Sequence, residues 1–133
     1  MATDYASNGA LFAEQLNMRF GKFSFGSIEI DGVVYENDVL IDRGKVRKRK
    51  KKDSKPYRDQ FGHTPISNAE RIPWKCRRLV IGSGKYGSLP VMKEVKREAR
   101  RRDVELLIVP TDEAIGLLRE KGAKPNAILH VTC

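Results

Sequence analysis

The C-terminal third of the chain alternates between short apolar runs and stretches with helical spacing, and this alternation constrains the fold more than any other feature. Residues 79–81 and 104–109 are typical of strands buried on both faces, and 127–131 predicts a third strand. A helix is predicted between each pair, over 90–102 and from Thr111 onwards. Strand–helix–strand–helix–strand is the α/β pattern, in which right-handed crossovers join parallel strands.

An antiparallel hairpin is predicted nearer the N-terminus. Apolar residues recur at intervals of about two along 23–30, and Asp31-Gly32 tolerates the positive φ angles of a tight hairpin turn. Further strand sequences follow at 33–35, at 39–41 and through Val46. Residues 48–56 predict a loop or an extended tip, and Thr64-Pro65 predicts the start of a short helix.

These elements predict a single α/β domain over residues 22–133, with helices packed on the sheet. We expect a mixed central sheet that combines the antiparallel N-terminal hairpin with a C-terminal βαβαβ unit. Residues 1–21 are predicted to be an N-terminal extension with a short helix over 10–20.

The positive charge of the chain is concentrated in one segment. The formal net charge is +9, and residues 43–58 account for all of it, with ten basic residues against Asp53 alone. We call residues 43–58 the basic arm. Such a segment attracts polyanions, and salt weakens that attraction. The candidate docking residues for a polyanion or a partner are Arg43, Lys45, Arg47, Lys48, Arg49, Lys50, Lys51 and Lys52.

A second candidate site lies at the carboxyl ends of two predicted parallel strands, where ligands gather in open α/β sheets. The glycine-rich turn after residue 81 formally matches a dinucleotide-binding motif, but the next predicted helix starts too late to hold a pyrophosphate. The simpler interpretation is that these glycines turn the chain off a central strand, and a small anion bound there is the alternative. The candidate ligand-binding residues are Gly82, Ser83, Gly84, Lys85, Thr111, Asp112 and His63; for Thr111, capping of its helix is the simpler interpretation.

Other chemistry is not indicated. His63 is predicted to lie in a loop, and His130 to be half-buried and hydrogen-bonded. Cys76 and Cys133 lack the spacing of a zinc site, and no nucleophile or phosphate-binding motif is present. We expect no catalytic residue, no metal and no cofactor. The apolar runs are too short for a membrane helix, and residues 1–9 show no secretory or mitochondrial leader, so we expect a cytoplasmic protein.

Several blocks resemble a known family. The blocks are residues 79–84, Leu89-Pro90, 106–111 with Ala114, and 129–133, preceded by the hairpin at 28–32 and by His63-Thr64-Pro65. In this order they are similar to a small α/β domain family of unknown activity, shared with the adipogenesis-associated domain protein and mitochondrial complex I assembly factor three. The resemblance covers about residues 22–133 and implies a three-layer fold with a mixed sheet and a binding or assembly role rather than an enzyme class.

The sequence therefore favours a non-catalytic binding or assembly module with the basic arm as its docking element, and another protein or a polyanion as its partner. One alternative is a protein or enzyme that uses a small anionic ligand in the crevice at the strand ends. The other is a nucleic-acid binder that uses residues 43–58. The sequence leaves a homo-oligomer open.

Overall fold

The computed structural model describes residues 18–120, 122 and 124–133. Its elements, in chain order, are β1 (Phe20–Ser24), β2 (Ser27–Ile30), β3 (Val33–Tyr35), β4 (Val39–Asp42), β5 (Lys45–Lys48), a 3-10 helix (Lys52–Tyr57), α1 (Arg58–Phe61), β6 (Arg78–Gly82), α2 (Lys93–Arg101), β7 (Glu105–Val109), α3 (Thr111–Arg119) and β8 (Asn126–Leu129). No helix among these residues is long and apolar enough to cross a bilayer.

The strands form two sheets. β1, β2 and β3 make an antiparallel sheet, and Asp31 and Gly32 turn the β2–β3 hairpin with φ angles of 50° and 78°. The second sheet has the order β5-β4-β8-β6-β7; β6 is parallel to β8 and β7, whereas β4 is antiparallel to β5 and β8. The predicted α/β fold is confirmed, with an antiparallel hairpin, a mixed central sheet and a C-terminal βαβαβ unit, but the hairpin at Asp31-Gly32 lies in a sheet of its own rather than in the central one.

The five-stranded sheet is the middle of three layers. One of its faces packs against α3 and the three-stranded sheet, in a cluster that includes Ile28, Ala114 and Leu129. The other face packs against α2 and the segment that follows α1, in a cluster that includes Ile66 and Val95. Both faces of β6 and β8 are buried, which explains the continuous apolar runs at 79–81 and 127–129 within them.

Three local predictions differ from the structure. Thr64-Pro65 does not start a helix, because Ile66 forms a parallel bridge with Val91. Helical turns precede it instead, over 52–61, and they replace the second half of the loop or extended tip predicted over 48–56. The predicted helix over 90–102 begins only at Lys93, since the carbonyl of Pro90 accepts the Ile66 N–H. Most of the helix predicted over 10–20 lies outside the described residues, and Phe20 begins β1.

Candidate functional site

The predicted strand-end residues come together. β6 and β7 end side by side, and the Gly84 N–H donates to Thr111 Oγ1 over 2.8 Å while the Thr111 N–H donates to the Gly84 carbonyl over 3.0 Å. Lys85 Nζ lies 3.4 Å from Asp112 Oδ2. Hydrogen bonds between the two strand ends therefore form a corner at Gly84 and Thr111, which we call the glycine corner.

The chain itself occupies the backbone donors of this corner. The Lys85 N–H donates to the Thr132 carbonyl over 2.7 Å, and the Ser88 N–H donates to the Cys133 carbonyl over 2.9 Å. A Cβ at Gly84 would lie 2.2 Å from the carbonyl carbon of Cys133, so residues 132–133 pass directly over the glycine. The Ser83 hydroxyl also has an internal partner, the Val109 carbonyl at 3.1 Å. A ligand at this corner stays a prediction.

Thr111 does not cap its helix. The N-cap residue of α3 is Pro110, and no side-chain capping hydrogen bond is present. The Thr111 hydroxyl donates instead to the His130 carbonyl over 2.7 Å while it accepts the Gly84 N–H. Thr111 is fully buried, and its hydroxyl joins the glycine corner to the chain just after β8.

His130 forms a buried pair with Asp38, which the sequence did not suggest. His130 Nδ1 lies 2.8 Å from Asp38 Oδ2, and the Val131 N–H donates to Asp38 Oδ1 over 3.0 Å. On its other side, His130 Nε2 lies 3.1 Å from Thr132 Oγ1. The prediction that His130 is hydrogen-bonded agrees with this geometry, although only 8% of the residue is exposed.

Arg49 departs from the rest of the basic arm, because it is buried. Only 3% of it is exposed. Its guanidinium forms two hydrogen bonds to Glu70, of 2.7 and 2.8 Å, one to Asp38 of 2.8 Å and one to the Pro65 carbonyl of 2.9 Å. A guanidinium presents its donors in a planar arrangement, which suits a bidentate contact with a carboxylate such as that of Glu70. Arg49 therefore joins the basic arm to the core rather than to solvent.

The charges around Asp38 keep this carboxylate ionised. Burial by itself raises the pKa of Asp38, but the hydrogen bond and charge of His130, the Val131 N–H and Arg49 more than offset it. The net result lowers the pKa of Asp38 from 3.8 to about 2. Asp38 is therefore a fixed negative charge between Arg49 and His130 at neutral pH.

The other basic residues of the arm are exposed. Arg43 and Lys45 lie at the β4–β5 turn, where Arg43 Nε contacts Asp42 and its backbone N–H donates to Asn126. Beyond β5, exposed lysines line a crevice of about 500 Å³, which we call the lysine crevice. Its lining residues are Glu36, Asn37, Asp38, Lys48, Arg49, Lys50, Lys51, Lys52, Lys55, Val131 and Thr132. Arg47 is exposed and lines a separate groove with Lys48, Lys50 and Arg71.

A second crevice, of about 330 Å³, adjoins the first, and we call it the histidine crevice. It is lined by Lys51, Lys55, Arg58, Gly62, His63, Thr64, Leu89, His130 and Thr132. His63, which the sequence grouped with the glycine corner, therefore lies beside the basic arm and His130. Lys51, Lys55 and Thr132 line both crevices, so the two form one continuous basic surface.

Metal binding and thiol chemistry find no support in the described part of the chain. Within it, no group of three or more His, Cys, Asp or Glu residues could hold a metal ion. Cys76 and Cys133 are both free thiols. Burial raises the pKa of Cys76, and a raised pKa disfavours the thiolate that nucleophilic chemistry requires.

Comparison with known proteins places the chain in a family. It is 31% identical to the conserved hypothetical protein PH1505 from Pyrococcus horikoshii OT3, and the structures agree with a TM-score of 0.74 over 87% of this chain and 100% of that one. The chain belongs to the family of PH1505. MT938 is 28% identical, with a TM-score of 0.62 over 88% of this chain and 100% of that one.

A more distantly similar structure shows only that the fold is shared. XCC1710 from Xanthomonas campestris, solved by NMR, is 10% identical and matches with a TM-score of 0.59 over 86% of this chain and 85% of that one. No protein-family model matches the chain, and no curated protein matches it significantly. The similarity to PH1505, itself described only as a hypothetical protein, supplies a family and a fold without an activity.

Proposed function

We propose that the protein is a binding module that docks an acidic segment of another protein on the basic surface formed by the lysine and histidine crevices. The observation that carries this proposal is the position of Lys51 and Lys55, which line both crevices at once. Cations spaced along a continuous surface attract a chain of negative charges and raise its rate of association.

The acidic groups near this surface leave its positive charge largely uncompensated. The described lining of the histidine crevice contains no carboxylate, and the lysine crevice contains Glu36 and Asp38. Asp38 already contacts Arg49 and His130, at 2.8 Å each. An incoming carboxylate would therefore meet mostly lysine side chains, whose compact charges bind carboxylates without strict geometric demands.

An acidic peptide fits this surface better than a single-stranded nucleic acid. Single strands bind through exposed aromatic faces on which bases stack. Tyr57 and Phe61, the aromatic residues of the helical turns after the lysines, are both half-buried. The exposed cations of the crevices are mainly lysines, whereas phosphates are bound most specifically by the paired donors of arginine. Nucleic acid is thus an alternative for the experiment to exclude.

The kinship with the adipogenesis-associated domain protein and complex I assembly factor three is part of the same proposal. Its support is the order of the sequence blocks, which ends in His130, Thr132 and Cys133. A role in the assembly of another protein, in the cytoplasm, agrees with docking through an exposed charged surface. A small anionic ligand at the glycine corner is less well supported, because Thr132 and Cys133 already accept the N–H groups of Lys85 and Ser88.

The test compares two double variants with the same change in charge. Lys51→Glu with Lys55→Glu reverses two charges of the basic surface, and Lys93→Glu with Lys96→Glu reverses two exposed charges of α2 as the matched control. The probe is a fluorescently labelled oligoglutamate peptide, with a labelled oligothymidylate of equal length in parallel, and the readout is anisotropy over a range of salt concentrations.

We expect the wild-type protein to bind oligoglutamate with an affinity that falls as salt rises, since salt screens exposed charges. Reversal of Lys51 and Lys55 should weaken binding about tenfold or more, because each reversal changes the local interaction by on the order of 1 kcal/mol. The α2 variant should change it about twofold at most. Equal losses in both variants, no binding at low salt, or preference for oligothymidylate would each contradict the proposal.

A further inference from the structure

Thr132, His130 and Asp38 form a chain of hydrogen bonds that opens into the histidine crevice. Thr132 Oγ1 lies 3.1 Å from His130 Nε2, and His130 Nδ1 lies 2.8 Å from Asp38 Oδ2. A hydroxyl within reach of an imidazole, with a carboxylate on the second ring nitrogen, is the arrangement that activates a nucleophile. Thr132 and His130 both line the crevice, so a bound molecule can reach the hydroxyl.

The direction of these hydrogen bonds follows from the state of Asp38. This carboxylate accepts hydrogen bonds from Arg49 over 2.8 Å and from the Val131 N–H over 3.0 Å, and these donors favour its ionised form. An ionised carboxylate only accepts hydrogen bonds, so neutral His130 must carry its proton on Nδ1. Nε2 is then free to accept the hydroxyl proton of Thr132, which is the tautomer that a general base requires.

Several hydrogen bonds fix the backbone around His130 and Thr132. The His130 N–H donates to the Gly82 carbonyl over 2.9 Å, and the Thr132 carbonyl accepts the Lys85 N–H over 2.7 Å. The His130 carbonyl accepts the Thr111 hydroxyl, and Val131 between them is buried in the core. The backbone that carries the two reacting side chains is therefore held in place, and the contacts of His130 with Asp38 and Thr132 orient the ring.

We infer that Thr132 is a nucleophile activated by His130 and positioned by Asp38, for the hydrolysis of esters whose acyl group carries a negative charge. The observation behind the charge requirement is that Lys51, Lys55 and Arg58 line the same crevice. A carboxylate on the acyl group would be held by these cations, and a nearby ammonium or guanidinium would also stabilise the oxyanion of the transition state. This activity goes beyond docking and is testable separately from it.

The reaction uses water as its second substrate. Thr132 Oγ1 attacks the ester carbonyl carbon while His130 Nε2 takes the hydroxyl proton, and His130 returns that proton to the leaving alcohol oxygen as its bond to carbon breaks. Water then attacks the acyl–Thr132 ester and gives a proton to His130. This proton passes to Thr132 Oγ1 as the acyl–oxygen bond breaks, and the carboxylic acid leaves.

The experiment uses 4-nitrophenyl hemisuccinate as the anionic probe and 4-nitrophenyl acetate as the neutral one. The wild-type chain should release nitrophenolate faster from the anionic probe, and mass spectrometry of the quenched reaction should find a succinyl group on Thr132. Thr132→Ser retains a hydroxyl and should keep the activity. Thr132→Val removes it and should lower the rate about a hundredfold or more, to that of buffer.

The outcomes separate this inference from the docking proposal. Thr132→Val should unfold near the wild-type temperature, so its loss of hydrolysis would be chemical rather than structural. Acylation found on lysines alone, hydrolysis by Thr132→Val at the wild-type rate, or no hydrolysis by the wild-type chain would each overturn the inference. The docking proposal is decided separately, by the affinity of the wild-type chain and of the Lys51 and Lys55 double variant for oligoglutamate.

Discussion

Arg49 carries the strongest stability prediction, because it joins two carboxylates inside the protein. Replacement of Arg49 by Met keeps most of the apolar volume but leaves Glu70 and Asp38 without the cation that both of them contact. Glu70 is 8% exposed and Asp38 is 8% exposed, so water cannot fully replace the lost partner. Removal of one member of a buried ion pair costs about 3–5 kcal/mol.

The assay is reversible urea denaturation followed by circular dichroism, with Lys50→Met as the matched control. Lys50 is the next residue and is exposed, so its loss should change the free energy of unfolding by about 0.5 kcal/mol at most. For a chain of this length, the Arg49→Met loss corresponds to a melting temperature lower by about 10–20 °C. The double variant Arg49→Met, Glu70→Gln should recover part of the loss, because one unpaired buried charge disappears. Arg49→Met as stable as Lys50→Met would refute the reasoning.

Three further predictions concern Asp38 in the lysine crevice and Gly84 and Thr111 at the ends of β6 and β7. The pKa of Asp38 is lowered to about 2 in the folded protein, from an ordinary value of 3.8, so its stabilisation is complete above about pH 4 and is lost as the pH falls towards 2. Asp38→Asn should flatten this part of the stability–pH curve measured by urea titration. Gly84→Ala should lower the melting temperature in thermal denaturation more than Gly26→Ala does. Both glycines have a positive φ, but only at position 84 would the new Cβ clash with Cys133. Thr111→Val should cost about 1–3 kcal/mol in urea denaturation and Thr111→Ser much less, because only serine keeps the hydroxyl that Gly84 and His130 use.

The fold was predictable where the pattern was local. The apolar runs that became β6 and β8 are continuous because both faces of these strands are buried, and Asp31-Gly32 marked its hairpin through backbone preference alone. The helical turns over 52–61 were missed because no apolar periodicity marks them. The buried residue of the 3-10 helix is Ser54, which donates to Glu70 Oε2 over 2.5 Å, so a polar contact anchors this segment.

The candidate site was less predictable, because its contacts join distant parts of the chain. Asp38 and His130 are 92 residues apart, and a lone Asp after Asn37 has the sequence of an ordinary turn. Arg49 is flanked by Lys48 and Lys50 in the sequence, so the charge pattern predicted an exposed side chain. The one hint of a different role was that an arginine stands between two lysines. Thr111 was predicted to cap a helix, the commoner role of a threonine there.

Docking on the basic surface is tested most directly by a two-dimensional amide NMR titration of the protein with the oligoglutamate peptide at low salt. We expect the amide signals of four residues to shift together and to saturate with one affinity, while the chemical shifts of α2 do not change. The four residues are Lys51, Lys55, His63 and Thr132. Shifts confined to α2 or to the three-stranded sheet, with the signals of the two crevices unchanged, would contradict it.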